Sequence, residues 1–149
     1  MDLKELYQEI ILDHGKNPRN FGKCKNFTSD AKGHNPLCGD KVHIYAQLDK
    51  EKKILDLSFE GEGCAISLAS ASILTDTLKG RDFNVAKAIT DNFLNLIKEN
   101  KLITVNSLND IQKTTLMSLS GVKDFPMRVK CATMAWHTLS SVLGNKNEN

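Results

Sequence analysis

The sequence predicts an α+β domain in which helices pack over a small antiparallel β-sheet. Three observations support this prediction. Two segments in the first half of the chain, at 42–48 and 55–59, alternate apolar and polar residues as half-buried strands do. Every segment after Gly63 repeats apolar residues with a helical period. Strands and helices do not alternate along the chain, which argues against a parallel sheet built from βαβ units.

The first element is an amphipathic helix that begins near Leu3 and ends near Gly15. Its apolar stripe consists of Leu3, Leu6, Tyr7, Ile10 and Ile11. Asp2 and Glu5 resemble a capping box at its start. The stretch that follows, to about Gly39, is rich in turn residues, so we expect a loop that leaves room for one short strand.

The two alternating segments predict an antiparallel hairpin, because a short polar connection at 49–53 joins them. The residues expected to share one face of this hairpin are Val42, Ile44, Ala46, Leu48, Leu55, Leu57 and Phe59. Small residues dominate the segment after the hairpin, so the helix predicted there can lie close to the sheet.

Four helices are predicted after the hairpin. They run from about Cys64 to Leu78, Phe83 to Glu99, Ser107 to Gly121, and Pro126 to Gly144. Ser107 is the expected N-cap of the third, and Gly144 is expected to end the last. The polar residues at 145–149 are expected to be disordered, so the prediction is a single domain at 1–144.

Composition excludes several classes of partner. The 149 residues are enough for one domain with its own core. Lys and Arg total 20 against 18 for Asp and Glu, and a net charge of +2 predicts neither a nucleic acid nor an anionic membrane as a partner. No apolar run is long enough to cross a bilayer, and the first residues do not resemble a secretory leader. We therefore expect a cytoplasmic protein.

Three of the four cysteines stand at positions that suit metal binding. Cys38 lies in a loop, Cys64 begins a helix where the macrodipole favours a thiolate, and Cys131 lies about one turn inside the last helix. Cys38 and Asp40 can face one ion because Gly39 permits a tight turn between them. Three thiolates and one carboxylate form a ligand set that suits zinc.

The spacing of these residues leaves a second interpretation open. The long intervals between the cysteines match no short-spaced zinc-finger pattern, and free cysteines are most often small buried hydrophobic residues. Arg128, three residues before Cys131, would either pair with an acidic residue or favour a thiolate at Cys131. Three thiolates and one carboxylate would leave excess negative charge around a zinc ion. The cations available to balance that charge are Lys41, Arg128 and Lys130.

Four blocks of sequence, at 13–20, 35–40, 59–72 and 125–136, carry a resemblance that covers nearly the whole chain. In this order they resemble the NifU N-terminal and IscU family, and within it the SufU-type members. The resemblance implies the SufE/NifU (IscU-like) fold. It also implies that Cys38, Asp40, Cys64 and Cys131 are the ligands of one metal site.

The resemblance to SufU-type members implies a zinc-dependent sulfurtransferase in iron-sulfur cluster assembly. Such a protein accepts persulfide sulfur from a cysteine desulfurase of the SufS type and delivers it to a downstream cluster-assembly scaffold. Cys38 is then the expected acceptor, freed when a residue of the partner replaces it on the metal. Its position in a loop makes this exchange physically reasonable.

The alternative is a scaffold that assembles a [2Fe-2S] cluster on the same cysteines, and a third hypothesis is a zinc-stabilised adaptor without sulfur chemistry. IscU-type scaffolds normally have a His directly before the last Cys, where this chain has Lys130. That difference favours the sulfur carrier. Gly15 stands where SufU-type chains tend to have an aromatic residue, at a position expected to lie far from the ligand loops.

The remaining cysteine and the histidines receive simpler interpretations. Cys24, among lysines and an asparagine, is expected to be a spare exposed thiol. His14 is expected to interact with the C-terminal dipole of the first helix. His34 lies near Cys38 in the sequence and is either a solvated loop residue or a residue that reaches the site.

Overall fold

A three-stranded antiparallel sheet forms one layer of the molecule, and helices form the other. The structure, a computed structural model, describes residues 2–145, of which Asn145 through its backbone alone. The strands are β1 (Ser29–Asn35), β2 (Asp40–Leu48) and β3 (Ile54–Glu62), in the order β1-β2-β3. The predicted α+β class is confirmed. The disorder predicted at 145–149 otherwise lies outside the described residues.

Five α-helices are present in the described part of the chain. They are α1 (Leu3–Lys16), α2 (Ala65–Leu78), α3 (Phe83–Glu99), α4 (Asp110–Leu119) and α5 (Val129–Ser140). Two 3-10 turns, Ser120–Asp124 and Pro126–Arg128, join α4 to α5, and a π turn follows α5. Gly144 ends this last segment with a φ of 100°, as its predicted role as a helix stop requires.

The N-terminal part of the chain agrees with the sequence pattern. The Asp2 carboxylate accepts a hydrogen bond from the Glu5 N–H at 2.8 Å, which caps α1. The turn-rich stretch after α1 contains β1, so the short strand that the sequence left open is present. β1 pairs with β2 from Ser29, opposite Ala46, to Asn35, opposite Asp40.

One residue of the hairpin, Leu55, faces solvent where the sequence pattern predicts burial. Gln47 pairs with Asp56 and Leu48 pairs with Ile54, so Leu55 is an extra residue in a β-bulge. Ile54 is therefore buried together with Leu57, whereas Leu55 is 47% exposed. The expectation that Leu55 shares the buried face of Leu57 was wrong, because one inserted residue reverses the alternation.

The start of α4 was also misplaced. Asn109 is its N-cap, and its side chain accepts from the Gln112 N–H at 2.8 Å while the Gln112 side chain accepts from the Asn109 N–H at 3.0 Å. Ser107 precedes this capping box and instead offers its carbonyl oxygen to Arg81 at 2.8 Å. Ser107 and Asn109 are both residue types that cap helices, but of the two only Asn109 has a Gln three residues later.

The core is centred on α2, which packs against α1, α5 and β3. Trp136 of α5 and Phe93 of α3 are both fully buried, with ring centroids 4.5 Å apart. The indole N–H of Trp136 donates to the Ser70 hydroxyl of α2 at 3.0 Å. The small residues of α2 thus allow a large aromatic side chain to pack over the helix, with its polar atom paired.

A set of hydrogen bonds, here called the α1–α2 lock, joins His14, Arg19 and Asn20 to Ser72 and Thr75. The Ser72 hydroxyl lies 2.7 Å from His14 Nδ1 and accepts from the Arg19 backbone N–H at 2.8 Å. Asn20 donates to the Thr75 hydroxyl at 3.2 Å. His14 is buried, and burial lowers its pKa below the usual value. The prediction that His14 interacts with a helix dipole missed this tertiary partner.

Candidate metal centre

The turn between β1 and β2 presents Cys38 to solvent. Asn35 and Asp40 form the closing pair of the hairpin, and the four residues between them make the turn. Gly39 adopts a φ of 71°, a conformation that glycine tolerates better than other residues. The Cys38 N–H donates to the Asn35 carbonyl oxygen at 3.3 Å. The thiol of Cys38 is therefore carried on a short, defined loop and remains accessible.

Asp40 is the fully buried acidic residue of the site, with 0% of its surface exposed. One carboxylate oxygen accepts from the Cys64 N–H at 2.8 Å, and the other lies 3.8 Å from the Cys64 sulfur. Cys64 is the N-cap residue of α2, as its predicted place at a helix start requires. The carboxylate thus satisfies a helix N–H and turns its second oxygen toward sulfur.

Gly63 makes the close approach of Asp40 possible. Its φ is 137°, and a Cβ placed on it would lie 2.2 Å from the Asp40 carboxylate oxygen. No side chain of any size fits there without moving the carboxylate. The glycine before Cys64 therefore forms one wall of a cradle for the Asp40 side chain.

Cys131 approaches the same place from the first turn of α5. Its sulfur lies 3.5 Å from the Cys38 sulfur, and its side chain is fully buried. The Asn35 side-chain amide donates to this sulfur at 3.6 Å. Burial raises the pKa of the Cys131 thiol, and the hydrogen bonds with Asp40 and Cys38 raise it further. A bound cation would offset that cost by favouring the thiolate.

Arg128 contributes positive charge at the accessible side. Its guanidinium lies 3.9 Å from the Cys38 sulfur. The hydrogen bond with Cys131 raises the pKa of Arg128, and Cys64 and Cys38 act in the same direction. Its neighbours are thus thiols, and the hypothesis that Arg128 favours a thiolate at Cys131 stays a prediction. Lys130 is exposed, and Lys41 lies 3.9 Å from Glu62.

The structure brings three of the four predicted ligands into one compact set. Ligand atoms of Cys38, Asp40 and Cys131 all lie within 4.8 Å of one another. Within residues 2–145, no other three His, Cys, Asp or Glu side chains meet this criterion. Cys64 lies beside Asp40 but outside the compact set. Cys64, the fourth predicted ligand, therefore lies next to the site but does not converge on the same point as the other three.

The residues present fit a zinc ion by their chemistry. Thiolate, imidazole and carboxylate are the ligands that zinc takes in proteins, and two thiols and a carboxylate converge here with a third thiol adjacent. The cradle at Gly63 holds the carboxylate against the start of α2. The arrangement can therefore hold a cation while one of its thiols stays accessible.

Sequence reasoning missed three residues of this site: Asn35, Gly63 as a wall, and Tyr7. Burial raises the pKa of Tyr7, and the nearby Cys64 raises it further. Tyr7 also stacks on Phe125, with ring centroids 6.2 Å apart. The helical stripe predicted only the burial of Tyr7, whereas Asn35 and Gly63 lie inside the blocks that carry Cys38, Asp40 and Cys64.

Three expectations about residues outside the ligand set can be compared with the structure. Cys24 is 5% exposed and its thiol donates to Asp56 at 3.3 Å, so the prediction of an exposed thiol was wrong. Gly15 was expected far from the ligand loops, yet it packs against Ala65, next to Cys64. His34 is exposed on β1 and is not part of the compact set, which agrees with a solvated residue.

Comparison with known proteins identifies relatives along nearly the whole chain. A family model described as the NifU-like N terminal domain matches residues 6–132. The chain is 39% identical over 138 residues to the zinc-dependent sulfurtransferase SufU of Bacillus subtilis, covering 93% of this chain and 89% of that protein. It is 33% identical over 141 residues to the iron-sulfur cluster assembly scaffold protein IscU of Streptococcus pyogenes, covering 95% and 84%.

Solved structures share the fold as well. A crystal structure described as an iron-sulfur cluster assembly scaffold protein for the SUF system, from Fervidobacterium islandicum, superposes with a TM-score of 0.81 at 34% identity. The match covers 93% of this chain and 97% of that one. Among the described residues, no helix combines the length and apolar character needed to cross a bilayer.

Proposed function

This chain belongs to the NifU-like N-terminal domain family, and we propose that it is a zinc-dependent sulfurtransferase of iron-sulfur cluster assembly. It accepts persulfide sulfur on Cys38 and carries that sulfur to a downstream scaffold. Cys38, Asp40, Cys64 and Cys131 hold the metal. The observation that carries the proposal is one accessible thiol, that of Cys38, beside a buried carboxylate and a buried thiol.

The roles of the side chains follow from their burial and charge. Zinc bound by these residues would favour thiolates over thiols at neutral pH. Asp40 and Cys131, both fully buried, form the fixed side of the site. Cys38 is the exchangeable side, because its turn is open to solvent and Arg128 supplies positive charge beside its sulfur.

The proposed reaction is a thiolate attack on a persulfide. The Cys38 thiolate attacks the terminal sulfur of a cysteine persulfide on the donor protein. A new S–S bond forms on Cys38 while the S–S bond of the donor breaks, and the donor cysteine leaves as a thiolate. The charge is conserved, and no external oxidant or reductant is required. Arg128, 3.9 Å from the Cys38 sulfur, would stabilise the negative charge during the approach.

The donor that this reaction requires is a cysteine desulfurase, and we propose one of the SufS type in the cytoplasm. The similarity to the B. subtilis sulfurtransferase supports this choice. The recipient is a cluster-assembly scaffold. With a net charge of +2, the chain has no strong field that would favour a nucleic acid or a membrane instead.

A second function, assembly of a [2Fe-2S] cluster on the same residues, is favoured by the similarity to IscU of S. pyogenes. Lys130 argues against it, because its exposed ammonium group directly precedes Cys131 and cannot act as a ligand while it is protonated. Metal analysis of protein purified without oxygen separates the two functions. Colourless protein with one bound zinc supports the sulfur carrier, whereas stable brown protein with iron and sulfide supports the scaffold.

The assignment of the acceptor is tested by desulfurase turnover with Cys38→Ala. We expect stimulation of the desulfurase to fall by at least about 100-fold, because the attacking sulfur is gone. The matched control is Cys24→Ala, which removes a cysteine that lies outside the compact set. Stimulation that survives Cys38→Ala, or a persulfide found by mass spectrometry on another cysteine, would contradict the assignment.

A further inference from the structure

Asn35 makes three contacts that together join the two sides of the site. Its side-chain amide donates to the Cys131 sulfur at 3.6 Å. Its side-chain oxygen accepts from the Leu37 N–H at 3.3 Å, and its backbone oxygen accepts from the Cys38 N–H at 3.3 Å. Asn35 is 3% exposed, so solvent does not compete for these bonds. One buried residue thus contacts the turn that carries Cys38 and the sulfur of Cys131.

Cys38 and Cys131 differ in their surroundings although their sulfurs lie 3.5 Å apart. Cys131 is buried in α5 and receives the amide of Asn35. Cys38 is accessible and has the guanidinium of Arg128 at 3.9 Å. A selective carrier needs such a difference, because two equivalent thiolates at this distance would compete for the same incoming sulfur.

We propose that Asn35 is the positioning residue that makes Cys38, and not Cys131, the exchangeable sulfur. Its amide keeps Cys131 directed toward the buried carboxylate of Asp40, and its oxygen holds the turn that carries Cys38. The inference rests on the proposed function, since it names what selects the acceptor within that site. It assigns Asn35 no part in bond making or breaking.

The physical basis is the effect of an N–H donor on a thiolate. A hydrogen bond draws electron density from sulfur, which lowers the energy of its lone pairs and reduces its reactivity toward electrophiles. In a buried site this bond is not exchanged for one with water. Arg128 also approaches the Cys38 sulfur, but that contact is exposed and water competes for it, whereas the Asn35 bond to Cys131 is buried. Cys131 therefore becomes the less reactive thiolate of the pair, and Cys38 remains the nucleophile.

Two substitutions separate the donor of Asn35 from its support of the turn. Asn35→Ala removes both groups, whereas Asn35→Asp keeps an acceptor for the Leu37 N–H and removes the donor. With Co²⁺ in place of zinc, we expect both variants to shift the sulfur-to-cobalt charge-transfer band to lower energy. We also expect the alkylation of Cys131 relative to Cys38 by iodoacetamide to rise about tenfold, the equivalent of one lost hydrogen bond.

The matched control is Asn92→Ala, which removes an asparagine whose side chain bonds to Thr104 at 2.7 Å on the surface. It should change neither the band nor the alkylation ratio. A folded Asn35→Asp protein with the wild-type band and ratio would overturn the inference. Wild-type protein that binds cobalt but accepts no sulfur would contradict the proposed function alone, since neither measurement requires sulfur transfer.

A measurement on the wild-type chain decides the matter if the variants do not fold. In protein loaded with ¹¹³Cd, we expect the side-chain amide proton of Asn35 to shift downfield and to couple to cadmium through the sulfur. An amide signal that shows neither the shift nor the coupling would overturn the inference. Protein that binds neither cobalt nor cadmium would overturn the inference and the metal site together.

Discussion

The middle of α2 and its N-terminal end both bring polar groups into the interior, and they differ in how those groups are paired. In the middle, the Ser70 hydroxyl donates to the Ala132 carbonyl oxygen at 2.5 Å and accepts from the Trp136 indole at 3.0 Å. Ser72 likewise contacts His14 and the backbone of Arg19 in the α1–α2 lock. These groups use each other's hydrogen-bonding capacity, so the middle of α2 needs no ligand.

At the N-terminal end of α2 the balance of donors and acceptors is different. Asp40, Cys38 and Cys131 direct acceptor atoms toward one another within 4.8 Å, and the donors supplied are the Cys64 N–H, the Asn35 amide and Arg128. Ionised, these groups would leave excess negative charge in a buried place. Both regions of α2 thus bury polar groups. In the middle of the helix donors and acceptors pair with each other, whereas at the N-terminal end several acceptors converge, and this convergence is what distinguishes a metal site from a structural network.

The largest effect is expected from Gly63→Ala at the N-terminal end. The new Cβ would lie 2.2 Å from the Asp40 carboxylate oxygen, and φ is 137°. We expect a loss of about 3 kcal/mol in the free energy of unfolding and a loss of metal affinity of at least about tenfold. Urea denaturation and zinc competition measure the two losses.

Gly80→Ala is the matched control for this substitution. Gly80 follows the other end of α2 with a φ of 87°, and a Cβ there would meet nothing within 4 Å. It should cost about 1 kcal/mol and leave metal binding unchanged. If Gly63→Ala cost no more than Gly80→Ala and kept its metal, the close packing of Asp40 would not define the site.

Ser72→Ala is the corresponding change in the middle of α2. It leaves His14 and the Arg19 N–H without their partner, so we expect the free energy of unfolding to fall by about 2 kcal/mol with zinc content unchanged. The control, Ser140→Ala, removes a hydroxyl bonded to Trp136 within its own helix and should cost less than about 0.5 kcal/mol. Loss of zinc on Ser72→Ala would show that the two regions are not independent.

The pH dependence of stability should also report on the α1–α2 lock. Burial lowers the pKa of His14 below its usual value of 6.5, and the charge of Arg19 lowers it further. As the pH falls below about 6.5 the unfolded chain binds this proton first, so stability is full above that pH and declines below it.

His14→Gln should make this decline shallower when unfolding is followed in urea from pH 7 to pH 5. Burial also lowers the pKa of His137, so part of the decline should remain in the variant. A wild-type slope retained in full after His14→Gln would contradict a buried neutral imidazole at this position.

The smallest effect is expected from Asp13→Asn at the exposed edge of the lock. Asp13 pairs with Arg19 at 2.7 Å, but the two side chains are 51% and 37% exposed. Solvent screens such a pair, so we expect a loss of less than about 1 kcal/mol that diminishes in high salt. A loss as large as that of Ser72→Ala would mean that this ion pair, and not the buried hydroxyl, holds α1 on α2.

Much of the fold follows from local pattern, and the exceptions have identifiable causes. The bounds of α3 agree with the predicted Phe83 to Glu99, because one amphipathic stripe runs along the whole helix. The orientation of Leu55 could not be predicted, since the bulge depends on the pairing of β2 with β3. The burial of Cys24 could not be predicted either, because it depends on Asp56, more than thirty residues away.

The sequence by itself determined the class of fold and the local parts of the candidate site. Cys38 and Asp40 flank a glycine in one turn, and Cys64 begins a helix, because tight turns and helix starts are specified by neighbouring residues. The tertiary structure alone decided that Cys131, 93 residues beyond Cys38, lies 3.5 Å from it and receives the Asn35 amide. The packing of α5 against the sheet produces that proximity, and no local periodicity encodes which distant surfaces meet.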